Sequence, residues 1–427
     1  MAISTESRTR VYDLLTEREE LRAEVELVVN AAPVMDVHTH LFPAEFNELC
    51  LWGIDELLTY HYLTAEMFRS ARIPYKQFWA MSKTDQADLV WKTLFVENTP
   101  TSEAAQGIIS VLDVFGLNTR AQDLNEARAF FNSQNLTEHI DQVFEIAGVS
   151  GVVMTNDPLD EAEVEIWKTY SNADRRFKSS LRLDLLLNNW EEARGALSKH
   201  GISAGPHLLP GVIMAIRNWL DQRIQRIEPV YLAVSLPADF AYPIDDIRGW
   251  MLRDVVLPTA KEHGLPLTLM IGVRRAVNPE LREAGDALGR ADVSAVERLC
   301  AQYPEIRFLV TYLSRENQHE LCVAARKFNN LMPFGCWWFL NNPSIVTEIT
   351  RERLELLGQS FIPQHSDARV LEQLIYKWKH ARRQIADALC SSYEQLLRNG
   401  RAVTREEIAR DVRRMFEGNF SEWVSAV

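Results

Sequence analysis

Eight short apolar runs punctuate the chain, each ending in polar residues and followed by a longer stretch of helical character. They occupy residues 34–37, 151–154, 180–183, 231–236, 266–271, 306–312, 331–337 and 361–364. Near-continuous Val, Ile, Leu, Phe and Met is what a strand buried on both faces requires, as in a parallel sheet covered by helices. An open doubly wound sheet shares the alternation, but eight such runs favour an α/β fold of the (β/α)8 TIM-barrel type. The stretches between the runs read as helices. Residues 250–263 carry apolar positions at helical spacing and stop at Gly264, just before Pro266. Residues 369–393 and 404–425 are long and amphipathic, and a helix over 6–31 is expected to pack across one end of the barrel.

One connection breaks the rhythm. Residues 41–150, between the first run and the second, are rich in helical patterns such as DELLTYHYLTAEMF and DQADLVWKTLF. A loop of that length with its own helices reads as a functional insertion. On a barrel it belongs on the C-terminal face, as cover and specificity element. No repeat, low-complexity tract or Pro/Gly/Ser-rich linker divides the chain, so residues 1–427 are read as a single barrel domain carrying this insertion.

Composition narrows the class. The chain has 427 residues, 47% of them hydrophobic and 25% charged, with a net charge of −13. That surface repels phosphate backbones, so no nucleic-acid partner is expected. A local group of arginines still permits an anionic substrate. No stretch approaches the ~20 uncharged apolar residues that cross a bilayer, and the charged N-terminus lacks the apolar core of a signal peptide. Five scattered cysteines without CxxC spacing suit reduced thiols in the cytoplasm.

The polar ends of the eight runs should converge at the C-terminal mouth of the barrel. They read His38-Thr-His40; Thr155-Asn-Asp157; Arg182 with Asp184; Ser235; Arg274-Arg275; Ser314-Arg-Glu-Asn317; Trp337-Trp338; and His365-Ser-Asp367-Ala-Arg369. His38 and His40 lie two apart at a strand end, so both imidazoles point to one side. Imidazole pairs suit zinc, and a third ligand plus water completes an open catalytic site. Alone, an HxH pair reads equally as hydrogen-bonding histidines at a barrel mouth. Here strands one and eight are neighbours in a closed barrel, so Asp367 reaches the same ion, and one divalent metal ion, zinc by ligand type, is expected. Without further context, His61 and Tyr62 read as ordinary packing in a mixed apolar helix. Arg182 reads as paired with Asp184, and Trp337-Trp338 as core with one ring turned inward. His139, His200, His207, His263 and His380 fall away from the strand ends.

With these residues in view, the chain resembles the uronate isomerases, the glucuronate isomerase branch of the amidohydrolase superfamily. The motifs DVHTHLFP, LLTYHYL, RLD, GCWWF and SDAR occur in that order along the whole chain. The resemblance implies interconversion of a hexuronate aldose and its ketose, D-glucuronate with D-fructuronate or D-galacturonate with D-tagaturonate. It implies His38, His40 and Asp367 as metal ligands and Arg182 on the substrate carboxylate. His61, Tyr62, Trp338 and Arg369 would then surround the sugar. Such an isomerisation needs a base for the C2 proton, stabilisation of an enediolate and reprotonation at C1. Tyr62, with its pKa lowered by Arg369, is the expected proton shuttle, and Asp367 the group that helps open the ring. A homo-oligomer in carbohydrate metabolism is the expected context. The chain departs from the family at the fifth strand, where Met270 replaces a frequent His, and in the following stretch, RRAVNPEL. The competing activity is a one-metal hydrolase or decarboxylase of the same superfamily. A two-metal hydrolase would want a Lys or Glu ending strand four and His residues ending strands five and six, and those runs have none.

Overall fold

A computed structural model describes residues 13–170 and 174–425. Seven parallel strands form one curled sheet: β1 (Val34–Thr39), β2 (Val149–Asn156), β3 (Phe177–Arg182), β4 (Leu232–Pro237), β5 (Leu267–Arg274), β6 (Phe308–Tyr312) and β7 (Leu331–Pro333), paired in that order. Every residue of β1 is buried, and so is every residue of β5 except Arg274 at its end. This is the two-faced burial that the unbroken apolar runs require. A short antiparallel piece, Ala287–Leu288, adds to the end of β5.

The eighth run closes the ring without forming a regular strand. Ile362 bridges to Phe334 beyond β7, and the Ile362 amide donates to the Pro333 carbonyl at 3.1 Å. On the other side, the Asp367 amide donates to the His38 carbonyl (3.1 Å), and the His40 amide to the Ala368 carbonyl (2.7 Å). Pro363 has no N–H for a ladder, and Asp367 adopts a positive φ of 51°, so the segment touches both neighbours but makes continuous pairing with neither. The same physics shortens β7. Its ladder ends at Pro333, before Gly335 at φ 65° turns the chain toward the tryptophans, so the run expected over 331–337 is regular only at its start.

The helical expectations hold with shifted bounds. Residues 247–263 form one continuous helix with a π-helical turn at Leu252–Val256, and Gly264 terminates it at φ 62°. The helix Gln373–Arg398 runs along the barrel's outside against Arg18–Ala31, Glu103–Val114 and Leu136–Ala147. The N-terminal helix begins at Arg18; residues 1–12, where the expected helix starts, lie outside the described residues.

The insertion is helical, as expected: short helices at Ile54–Thr59, His61–Ser70, Tyr75–Trp79 and Lys83–Trp91 precede the two longer ones against the outer helix. A buried hydrogen-bonded pair fastens it to the barrel. His139 Nε2 and Glu372 Oε1 are 2.8 Å apart with both side chains fully buried, and the same carboxylate accepts from the Gly53 amide. Leu51 bridges to Val370 alongside. These contacts set the helices carrying Tyr60 and His61 against the segment carrying Asp367 and Arg369.

Candidate active site

β1 delivers the two histidines to the mouth of the barrel. Their rings lie edge to face with centroids 5.4 Å apart. Asp367 Oδ1 is 3.7 Å from His38 Nε2 and 3.4 Å from His40 Nε2. Among the described residues, these three form the one group of His, Cys, Asp and Glu with metal-binding spacing, their donor atoms all within 4.8 Å.

The second contact of His38 settles which nitrogen faces the carboxylate. Its Nδ1 is 3.4 Å from the Tyr231 hydroxyl, and that hydroxyl donates its own proton to the Val37 carbonyl at 2.7 Å. The Tyr231 oxygen is therefore left as an acceptor, Nδ1 carries the hydrogen, and the Nε2 lone pair points at Asp367. A lone pair and a carboxylate facing each other repel unless a cation stands between them. For ligand bonds near 2.0–2.1 Å, tetrahedral donors stand about 3.4 Å apart, close to the separations found. The residues thus fit a divalent ion with open coordination positions.

Burial keeps the set competent. It pushes the His38 imidazole down to about 3 and His40 to about 4, so both rings are neutral at neutral pH. Burial alone would raise the Asp367 carboxyl; its contacts with His40 and His38, together with Lys377, instead hold it well below the usual range. Neutral imidazole and ionised carboxylate are the ligand forms. Asp367 reaches them only through its left-handed backbone, a conformation that costs a non-glycine residue roughly 1–2 kcal/mol.

Around this group lies a narrow cavity of about 40 Å³. The barrel contributes Thr155, Arg182, Asp184, Ala233, Val234, Ser235, Met270, Arg275, Trp337, Trp338 and Arg369 to its wall, and the insertion contributes Tyr60 and His61. Most of the strand ends singled out from the sequence therefore do converge. The exception is the end of β6, where Arg315 turns outward to an exposed ion pair with Glu348. Both tryptophans line the cavity, not one. Met270 contributes an apolar, non-ligating wall in the place of the frequent family histidine.

Arg182 is paired side-on. Its Nε is 3.0 Å from Asp184 Oδ2 and its Nη2 3.0 Å from Asp184 Oδ1. Burial would lower the guanidinium's pKa, but Asp184 overrides it and the group stays charged. Arg369 is half-exposed and 3.6 Å from Glu283 on the loop after β5.

The expectation for Tyr62 needs correcting. Its ring is not part of the cavity lining, and its hydroxyl is buried with no hydrogen-bond partner among the described residues. Its pKa is raised, not lowered: burial dominates, Tyr60 and Asp367 add to it, and Arg369 does not offset it. His61 is neutral, its pKa pushed to about 3 by burial and then by Arg369, and its Nε2 is likewise buried without a partner. Three further residues surround the site beyond those the motifs mark. Tyr60 stood in plain view before His61. Asp36, two residues ahead of His38, was legible by spacing alone. Lys377, inside a helix, gave no signal.

No protein-family model matches the chain, nor does any curated protein sequence. Solved structures do. A uronate isomerase from Bacillus halodurans C-125 is 50% identical, covering 96% of this chain and 97% of that one with a TM-score of 0.93. The uronate isomerase of Thermotoga maritima shares the fold at 15% identity, with a TM-score of 0.76 over 99% of this chain and 100% of that one. The glucuronate isomerase of Caulobacter crescentus does so at 14% identity, with a TM-score of 0.69 over 95% and 94%. Half-identical to the first over nearly its whole length, and built on the same barrel, this chain belongs to the uronate isomerase family.

Proposed function

We propose that the protein interconverts a hexuronate aldose and its ketose, D-glucuronate with D-fructuronate or D-galacturonate with D-tagaturonate, by moving a proton between C2 and C1. The observation that carries this reading is the joining, in one cavity, of the His38–His40–Asp367 donor set with a partly buried arginine that keeps a free hydrogen-bonding edge.

Asp184 takes the side edge of Arg182 and leaves the end edge, two parallel N–H groups, for the substrate carboxylate. The C1–C2 end then faces His61 and Arg369. At this end, His61 Nε2 and Tyr62 Oη are buried and carry no hydrogen bond to another described residue. His61, neutral, accepts the C2 proton and returns it at C1. Tyr62, kept protonated by burial and packed edge-on against His61 behind the cavity wall, is a hydrogen donor and not the base, while Arg369 balances the charge of the developing oxyanion. Trp338 supports the sugar, and Asp367 assists ring opening. His38, His40 and Asp367 would hold one divalent ion, zinc by ligand type, which when bound polarises sugar oxygens as a Lewis acid. A cytoplasmic homo-oligomer acting in carbohydrate metabolism, with no nucleic-acid or membrane partner, is the proposed setting. Its support is five free buried cysteines and, among the described residues, no helix long and apolar enough to cross a membrane.

Purified protein incubated with D-glucuronate and with D-galacturonate in deuterated water tests the reading. The expected product is the ketouronate, unchanged in mass apart from deuterium at C1 or C2. Release of carbon dioxide, ammonia or phosphate from a preferred substrate would replace this reaction with hydrolysis or decarboxylation.

A further inference from the structure

Asp367 is among the few non-glycine residues with a positive φ, and the left-handed turn is what carries its carboxylate to His38 and His40. Something must hold that turn, because the backbone of an L-residue relaxes readily to negative φ. The peptide unit joining Ser366 to Asp367 is held at both ends. Its N–H donates to the His38 carbonyl at 3.1 Å, and its carbonyl accepts from the Lys377 ammonium at 2.6 Å. The peptide unit before it is held as well. The Ser366 amide donates to both oxygens of Asp36, at 3.0 and 3.3 Å, and Trp378 Nε1 fixes that carboxylate from behind at 2.8 Å. Both charged side chains are buried.

We propose that Asp36 and Lys377 are positioning residues that clamp the two peptide units around Ser366 and thereby aim the Asp367 carboxylate at the metal-ligand set. Flipping the 366–367 peptide would swing its carbonyl away from the ammonium and its N–H away from β1, so a change of φ at Asp367 would break two hydrogen bonds together. The opposite charges are matched to the backbone poles they face, the carboxylate to an N–H and the ammonium to a C=O. Two buried charged groups spent on backbone partners are weak evidence for a purely stabilising role, and strong placement of one ligand residue gives them a function. The Lys377 ammonium also lies 5.7 Å from the centre of the Tyr62 ring, so the same cation flanks the proposed hydrogen donor. This inference rests on the reading of His38, His40 and Asp367 as metal ligands, and its test is read on metal affinity, separately from hexuronate turnover.

Zinc affinity by chelator competition, cobalt absorption spectra and hexuronate kinetics would be measured on the full chain and its Lys377→Met, Lys377→Arg and Asp36→Asn variants. A charge-balanced Asp36→Asn/Lys377→Met double variant leaves neither charge buried alone, and near-UV circular dichroism reports the fold of each. Loss of partners behind a metal ligand typically weakens binding tenfold to a hundredfold. That loss is expected for Lys377→Met, Asp36→Asn and the double variant, with an altered cobalt spectrum and a fall in kcat at near-parental KM. Lys377→Arg, which retains a donor for the Ser366 carbonyl, should recover most of the affinity. Parental zinc affinity and cobalt spectrum in the folded double variant overturn the proposal. So does a loss in Lys377→Arg as large as that in Lys377→Met. Single variants that fail to fold, beside a double variant that folds and binds metal like the parent, assign the pair to stability alone and overturn it too.

Discussion

Arg182 and Asp184, two residues apart at the end of β3, form a side-on ion pair with two 3.0 Å contacts. The pairing engages one edge of the guanidinium, and Arg182 lines the cavity wall. A charge-assisted contact of this kind contributes about 1.5–3 kcal/mol, so Arg182→Met should lower kcat/KM for a hexuronate by roughly tenfold to a hundredfold. Lys at this position should restore part of the loss, keeping the charge but not the planar fork. Steady-state kinetics on the uronate and on the matching neutral aldose decide the matter. Equal losses on both would give Arg182 a scaffolding role and move the carboxylate to Arg275.

Metal analysis should find about one divalent ion per chain, matching one three-residue donor set. Dialysis against a chelator should abolish turnover, and adding zinc back should restore it. Asp367→Asn keeps the shape but weakens the anionic ligand, and a loss of zinc affinity on the order of a hundredfold is expected. Two tightly held ions would contradict the donor set.

Gly335 is required for a different reason. A Cβ there would stand 1.9 Å from His365 Cδ2, and the backbone φ is 65°. The His365 ring lies 5.3 Å from that of His38. Gly335→Ala should therefore cost about 2–4 kcal/mol of stability through overpacking and backbone strain together. It should also weaken zinc binding by displacing His365 into His38. Denaturant midpoints and chelator competition on one preparation would show both effects; a shift in stability alone would separate Gly335 from the site.

Glu103 makes stability depend on pH. Burial pushes its carboxyl up to about 7, with the nearby Lys377 opposing and Glu66 adding. The folded state thus holds this proton where the unfolded chain, near 4.3, has released it. Its contribution is fully present below the unfolded pKa and is lost as pH rises through about 7. Glu103→Gln should gain stability over the parent between pH 5 and pH 8, by at most about 3 kcal/mol. Thermal midpoints of both proteins across that range check the sign. A difference that stays flat with pH would show that the carboxyl titrates alike in both states.

The order of elements was written in the chain. Parallel strands buried on both faces must be apolar throughout, so β1 to β6 announced themselves, and Gly264 marked a helix end by its left-handed turn. His38, His40, Asp367 and Arg182 were legible because a barrel gathers the ends of its strands at one mouth, whatever their separation in sequence. Irregular backbone was not legible. Pro363 and the positive φ of Asp367 interrupt the eighth strand, and Pro333 with Gly335 cuts the seventh short, because proximity in a closed ring supplies pairing that no local pattern encodes. For Tyr62 it was burial that decided the electrostatics: beside an arginine it looks acidic on paper, yet its loss of water raises its pKa. The groups behind the site belong to tertiary packing. Lys377 reaches the Ser366 carbonyl from an outer helix, and His139 meets Glu372 at 2.8 Å across 233 positions of chain. No periodicity or spacing registers such contacts, since what brings those groups together is the closure of the barrel and not their neighbours in the chain.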